Sequence, residues 1–207
     1  MPNYIQLVEQ IKSTLYSNSQ ITIEQIPNFI YEAQEIICKQ CKNIGLLKYV
    51  TLTGVPQGTY IIKKPQGWRK TMSFKVLEDG IISIMNLRSV DYMQLYSPDS
   101  SKKSKPLFYG DYGYNEWMIN PVPDKSYTYK IGFIEFPPPL SLSNPTNWLT
   151  DNAYDILFNA SLYCSQTFVR DDERLPVWEK KYKEGIASIN AQDDQRVIDR
   201  QTNRFAD

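Results

Sequence analysis

The chain has 207 residues, and 23 Lys and Arg balance 23 Asp and Glu, so a protein built chiefly to grip phosphate backbones is disfavoured, because that affinity comes from an excess of cations. It has no histidine, which removes the commonest general base, the commonest metal ligand and every Ser–His or Cys–His nucleophile pair. The apolar content suffices for a buried core in one domain or a domain with a large insertion; no run approaches the roughly 20 apolar residues of a membrane span, and no signal-like start is present, so cytosolic synthesis is expected.

Residues 3 to 17 put Tyr4, Leu7, Val8, Ile11 and Leu15 on one stripe of a surface helix, ended by Ser17, Asn18 and Ser19. Thr22 and Gln25 then suit a capping box with Ile21 and Ile26 as its hydrophobic staple, or Pro27 opens the helix a turn later. Phe29, Ile30, Ala33, Ile36, Ile37 and Cys41 carry its apolar face to Gly45, a C-cap candidate.

After Gly45 the period falls to two and turn residues multiply, which predicts strands at Tyr49–Leu52, Thr59–Lys63, Thr71–Leu77, Ile81–Met85, Glu116–Asn120 and Tyr127–Phe136. The connectors Val55–Gly58, Glu78–Gly80 and Pro121–Asp124 are too short for crossover helices, so the pairing is expected to be antiparallel. Asp79–Gly80 is the clearest hairpin signal. Arg88–Tyr96 reads as a short helix or turn, Ser97–Pro106 as a polar loop, and Pro137–Pro139 ends the last strand.

From Asn144 to Ala191 two amphipathic helices return. Ala153, Ile156, Leu157, Ala160, Cys164 and Phe168 share one face, and Trp178, Tyr182, Ile186 and Ile189 share another. Asp151 or Asn152 is the expected cap of the first; Asp171, Asp172, Glu173 and Pro176 mark the start of the second. The short connector predicts an antiparallel pair.

The fold class expected is therefore α+β, a helical bundle formed by the N- and C-terminal helices with an inserted antiparallel β domain. Its parts are 1–45 and 144–191 for the bundle, 46–143 for the insert and 192–207 for a charged C-terminal arm.

Candidate chemistry is sparse. Cys38 and Cys41 have CxxC spacing but lie late in a helix and lack further ligands, so buried thiols are the plainer reading. There is no glycine-rich phosphate cradle. Asp124 after Pro123, with Glu179–Lys181, only faintly resembles a nuclease metal site, and Asp171–Glu173 is better explained as dipole-favoured charge at a helix start. The Asn159–Ser161 sequon falls within a helix and is discounted. Tyr109, Tyr112, Tyr114 and Trp117 are candidates to line a sugar- or base-stacking groove, against core packing as the plainer alternative; Lys102, Lys103 and Lys105 are candidates for an acidic partner, against a solvated loop.

Four segments taken together, IPNFIYEAQEII at 26 to 37, PLFYG at 106 to 110, INPVPDKSYTYKIGFIEFPPPLS at 119 to 141 and the stretch beginning TNWLTDNAYDILFNASLYC at 146, resemble the head-to-tail adaptor proteins of tailed bacteriophages. Gln34–Glu35 departs from that family's usual Ala–Glu order, and Lys105 stands where a glycine commonly precedes the proline. The resemblance implies a non-enzymatic virion protein without cofactor or metal, assembled in the host cytoplasm as a dodecameric ring at the head–tail junction and lining the channel for genome passage. Its implied partners are other copies of itself, the portal protein, the next tail or ring protein and, transiently and without sequence preference, genomic DNA in the lumen. On this reading the bundle core is Phe29, Ile30, Ile37, Trp148, Leu149, Ile156, Leu157, Phe168, Trp178 and Tyr182, and the arm docks on the portal or next subunit through Arg196, Asp199, Arg200, Arg204 and Phe205. The alternatives are a glycan-binding tail module and a metal-dependent nuclease.

Overall fold

A computed structural model describes residues 2–15, 20–41, 44–168 and 173–202, with side chains beyond Gln195 outside the description. The chain divides into two compact units, Met1–Leu46 with Pro137–Asp207, and Leu47–Phe136. The first is helical and the second is built of strands, so the α+β class with an antiparallel insert between terminal helices is what the molecule adopts.

In the helical unit α1 (Tyr4–Leu15) buries Tyr4, Leu7, Ile11 and Leu15, the stripe set by helical spacing. Asn3 and Gln6 cap it reciprocally, each backbone N–H donating to the other's side-chain oxygen at 3.1 and 3.0 Å. The next helix, α2 (Gln20–Gln40), begins before the expected Thr22 cap. Thr22 is buried, Ile21 is 66 % exposed and forms no staple, and Pro27 lies inside the helix. Pro27 is tolerated because its ring is exposed and the helix forgoes one backbone bond, whereas the buried side chains from Thr22 to Cys38 hold both sides of it to one axis.

The returning chain forms α4 (Trp148–Asn152), α5 (Tyr154–Cys164) and α6 (Leu175–Thr202); α3 lies in the strand unit. The expected cap at Asp151 or Asn152 is corrected. Asn147, extended at φ −151° and ψ −176°, accepts from the N–H groups of Leu149 and Thr150, while its own N–H donates to Thr150 Oγ1. Ala153 precedes α5 with no side-chain cap. Helix α5 packs against α1, α2 and α6 and buries Ser161 and Leu162 as well as Ile156, Leu157, Ala160 and Cys164 of the predicted face; Phe168, placed on that face by spacing, lies past the helix end and is exposed. Two α-helix C-termini are met by side chains from far along the chain: Arg174 Nη1 donates to Thr14 O at 3.0 Å and Asn190 Nδ2 to Gln40 O at 3.2 Å. Residues 137 to 147 are tied to this unit by Leu140 N–H donating to buried Gln34 Oε1 at 3.0 Å.

The strand unit holds β1 (Leu47–Val55), β2 (Ile61–Lys63), β3 (Trp68–Glu78), β4 (Ile81–Ile84), β5 (Asn86–Leu87), α3 (Val90–Tyr96), β6 (Phe108–Gly113), β7 (Glu116–Asn120) and β8 (Tyr127–Glu135). One sheet runs β1-β8-β3-β4, the other β2-β7-β6-β5. A single cluster takes side chains from both, including Ile62, Phe74, Tyr109, Trp117, Tyr129 and Ile131. Phe74 sits at its centre, 4.7 Å from the Tyr109 ring, 5.3 Å from Trp117 and 5.8 Å from Tyr129.

Three expectations are corrected here. Of the three short connectors only Glu78–Gly80 closes a hairpin, β3 with β4, because Asp79 (φ 48°) and Gly80 (φ 83°) supply the two positive φ values such a turn needs. The other two carry the chain from one sheet to the other. Strand β6 falls where no strand was expected, and β5 pairs with it in parallel, joined through α3 and the loop after it.

Candidate interaction surfaces

Strands β6 and β7 meet at a tip of Tyr114 and Asn115. Beneath the tip Lys64 is nearly enclosed, its side chain 4 % exposed. Its ammonium lies 2.8 Å from Asp111 Oδ1, donates to Gly113 O at 3.1 Å, and rests 3.7 Å from the Trp68 ring centroid. A buried ammonium without such partners would be strongly disfavoured, so this set pins the end of the hairpin. The tip itself projects apolar surface, with Tyr112 54 % and Tyr114 90 % exposed.

On the face of β7 opposite the core, Met118 and Asn120 line a cavity of about 440 Å³ together with Tyr60 and with Gln94, Ser97 and Ser100 from α3 and the loop after it. Asn120 is 3 % exposed, and its Oδ1 has no hydrogen-bond partner among the described residues. Beside it α3 is capped by Ser89, which accepts from Tyr92 N–H. Tyr92 and Tyr96 stack 6.5 Å apart and both present their faces or edges to Phe108, at 5.7 and 4.9 Å.

The four aromatics weighed as candidates for one groove are therefore separated: Tyr109 and Trp117 are core residues, as the plainer alternative has it, and Tyr112 and Tyr114 are exposed. Tyr112 lies in the outer, exposed half of β6 and Tyr114 in the turn after it, past the cluster that takes Tyr109 and Trp117. Of the loop lysines, Lys105 is engaged, bonded to Ser83 Oγ at 2.9 Å and to Glu78 at 2.8 Å, with Lys125 on the same carboxylate at 2.6 Å. Hydrogen bonds from Lys105 and then Lys125 hold the Glu78 carboxyl below its usual range. Asp124 accepts from Tyr127 Oη at 2.8 Å, and Glu179 pairs with Lys183 along α6. Asp171 and Asp172 lie outside the described residues, and among the described residues no three His, Cys, Asp or Glu are grouped to hold a metal.

Cys38, Cys41 and Cys164 are buried thiols. Burial pushes Cys164 up to about 12, with the Glu32 charge adding to it. In the sequon, Asn159 Nδ2 donates to Asp155 O and Ser161 is buried.

In the bundle, Phe29, Ile30, Ile37, Leu149, Ile156, Leu157, Trp178 and Tyr182 are buried, and Trp148 is half-buried. Phe168 is 43 % exposed, its ring 5.3 Å from Phe29. Beyond Ala191 the chain continues as helix: α6 runs to Thr202 and Asp193 is buried. Arg196, Asp199 and Arg200 lie on that helix with undescribed side chains, while Arg204 and Phe205 lie outside the described residues.

Comparison with known protein families matches the SU10 adaptor protein family over residues 2–204. The chain belongs to that family. The match spans both units, and it agrees with the likeness to phage head-to-tail adaptors carried by the four sequence segments. No curated protein matches the chain. Membership gives the chain a structural role in a phage particle, and association with other phage head and tail proteins follows from it. The adaptor role is structural in kind. No helix among the described residues of the adaptor is long and apolar enough to cross a membrane.

Proposed function

We propose that the chain assembles into a closed, dodecameric ring between the portal and the tail, with the genome passing through its channel. The observation that carries this reading is the adaptor-family match from residue 2 to residue 204. Two physical features support it. A closed ring needs two different, complementary faces on each subunit, and the strand unit bears an exposed aromatic tip and a separate cavity. A formal charge of zero suits a lumen along which DNA slides, since each excess cation facing it would add a salt-dependent hold on phosphate.

On this proposal the helical unit is the rigid body of the subunit, secured by Trp148, Leu149, Trp178 and Tyr182. The end of α6 and the residues after it, including Arg196, Asp199, Arg200, Arg204 and Phe205, dock on the portal or the neighbouring copy. The test is to purify the chain alone and with its portal and to follow both by sedimentation and negative-stain imaging. Rings stacked on the portal are expected. A chain that stays monomeric and never co-sediments with the portal overturns the proposal. Truncation after Ala191 is expected to weaken portal binding more than it lowers the melting temperature; the reverse pattern removes the docking role from this segment.

A further inference from the structure

We propose that neighbouring copies in the ring are joined edge to edge through the first sheet, β4 of one subunit pairing with β1 of the next. This deepens the ring reading and rests on it. The order β1-β8-β3-β4 leaves two outer strands, and the register states which backbone groups stand open along each. Met85 N–H donates to Phe74 O at 2.8 Å, so Phe74, Val76 and Glu78 turn their backbone groups toward β4, and alternation turns those of Lys75 and Leu77 toward β8. On β4 the residues that answer β3 are then Ile81 and Ser83, which leaves the N–H and C=O groups of Ile82 and Ile84 on the outside. Carried across β8, the same alternation gives Tyr129 and Ile131 to β1, where they meet Leu52 and Val50, and Tyr49 and Thr51 face out.

Both edges are bare. Among the described residues no other strand pairs with either one, and no further backbone bond reaches these four residues. Ile82, Ile84, Tyr49 and Thr51 are all exposed, Ile84 at 71 % and Tyr49 at 72 %. Open edges are ordinarily protected by a charge, a proline or a bulge, yet β4 reads IISI and pairs with β3 without a register shift. All four outward residues are β-branched or aromatic, the types that suit a sheet, and none is charged. The Tyr49 ring lies back over Gly132 of β8, where a Cβ would come within 2.8 Å of it, so it leaves the edge itself clear.

The sense of the strands selects a second copy as the occupant. Every pairing in this four-stranded sheet is antiparallel, so β1 and β4 run in opposite directions. A neighbour that follows in the same orientation therefore brings its β1 antiparallel to β4, the pairing the sheet already uses. With Ile82 opposite Thr51 and Ile84 opposite Tyr49, the two residue pairs exchange about four backbone hydrogen bonds. A β4–β4 dimer, or a foreign strand on β4, leaves β1 bare on every subunit. The β4–β1 joint covers both edges with one repeated contact, and being head-to-tail it propagates until the rotation closes. Closure then removes the open edges, as it does in a barrel.

The experiment assembles rings from mixtures of full-length variants that each carry one added cysteine, under mild oxidation; the native cysteines are buried. Thr51→Cys is mixed with Ile82→Cys and, separately, with Ile84→Cys, which covers the stated register and the one shifted by two residues. Facing residues of such a pair lie about 5.5 Å apart at Cα, within reach of a disulfide. A covalent dimer is expected from the first mixture, none from any variant alone, and a ladder of linked copies from the double variant Thr51→Cys, Ile82→Cys. Alongside it, Ile82→Pro removes an outward N–H that β3 does not use and is expected to weaken assembly about 10-fold or more. Ile82→Ala keeps that N–H and is expected to weaken assembly less than about 5-fold. Rings in which neither mixture links, or a dimer from Ile82→Cys or Ile84→Cys alone, overturn the edge joint and leave ring assembly standing. A native chain that never forms rings, with or without the portal, overturns both.

Discussion

Gly185 stands where α6 crosses α5, and replacing it with alanine sets two known effects against each other. Glycine inside a helix costs about 1 kcal/mol relative to alanine, so at an open site Gly185→Ala would stabilise. Here a Cβ would lie 2.5 Å from Ile156 Cγ1 and 2.9 Å from its Cδ1. Ile156 is 4 % exposed, and the nearer atom sits next to the β-branch, so relief requires a χ1 change that a β-branched residue in a helix resists, or separation of the two helices. Overpacking of this kind costs about 1–3 kcal/mol, and the closeness to the branch places it in the upper part of that range. The expected net loss is about 1–2 kcal/mol, or about 2–4 °C in melting temperature for each kcal/mol at this chain size.

The cause can be isolated by repeating the change in an Ile156→Ala background, which removes both contacting atoms and itself costs about 2–5 kcal/mol. There Gly185→Ala is expected to stabilise by up to about 1 kcal/mol, giving a coupling of about 2–3 kcal/mol between the two positions. Urea unfolding followed by far-UV circular dichroism measures all four chains. Equal costs in both backgrounds, or a gain in the native one, would refute the close-approach account.

Gly80→Ala offers the opposite case, since nothing lies within 4 Å of a Cβ built there but φ is +83°; a loss of about 1–2 kcal/mol is expected from the backbone alone, largely recovered by Gly80→Asn, as read by unfolding of the strand unit. Asn147→Ala removes the acceptor for Leu149 and Thr150 N–H and should cost about 1 kcal/mol, while Asn147→Asp, which keeps that acceptor, should cost less; equal losses would point away from the cap. At high pH the buried Cys164 thiol, pushed up to about 12 from 9.0, and Tyr4, Tyr154 and Tyr182, raised chiefly by burial, hold their protons longer folded than unfolded. The unfolded chain thus binds fewer protons above about pH 9, and stability is expected to be level below that point and to fall as pH rises through it; the urea midpoint across pH 7 to 11 checks this, and a midpoint rising above pH 9 would contradict it.

The helical unit was legible because its signal is local. Leu7, Ile11, Ile30, Ile37, Leu157 and Trp178 return to one face every three or four residues, and all are buried. The N-terminal caps were less legible for a definable reason: Asn147 is answered by Thr150 instead of the Glu or Gln of the usual signature, whereas Asn3 and Gln6 do carry that signature and could have been found. Local chemistry makes Pro27 one of two candidate helix starts beside Thr22, and burial on both sides of it outweighs that tendency.

The strand unit was legible in period but not in pairing. Strand β8 is bonded to both β1 and β3, partners distant in sequence, and no local spacing states which strands share a sheet. Strand β6, FYGDYG, was hidden by two glycines and by an outer half, Asp111 to Gly113, that is exposed throughout. Asn120 illustrates the same division. Alternation along β7 sends Trp117 and Ile119 into the core and must therefore turn Met118 and Asn120 to the other face. A residue turned outward would ordinarily be wet, and the sequence of β7 alone predicts an exposed amide. Tyr60 and the segment after α3 line the cavity on that outward face, so a position marked by parity as surface becomes a buried polar residue instead of a wet one.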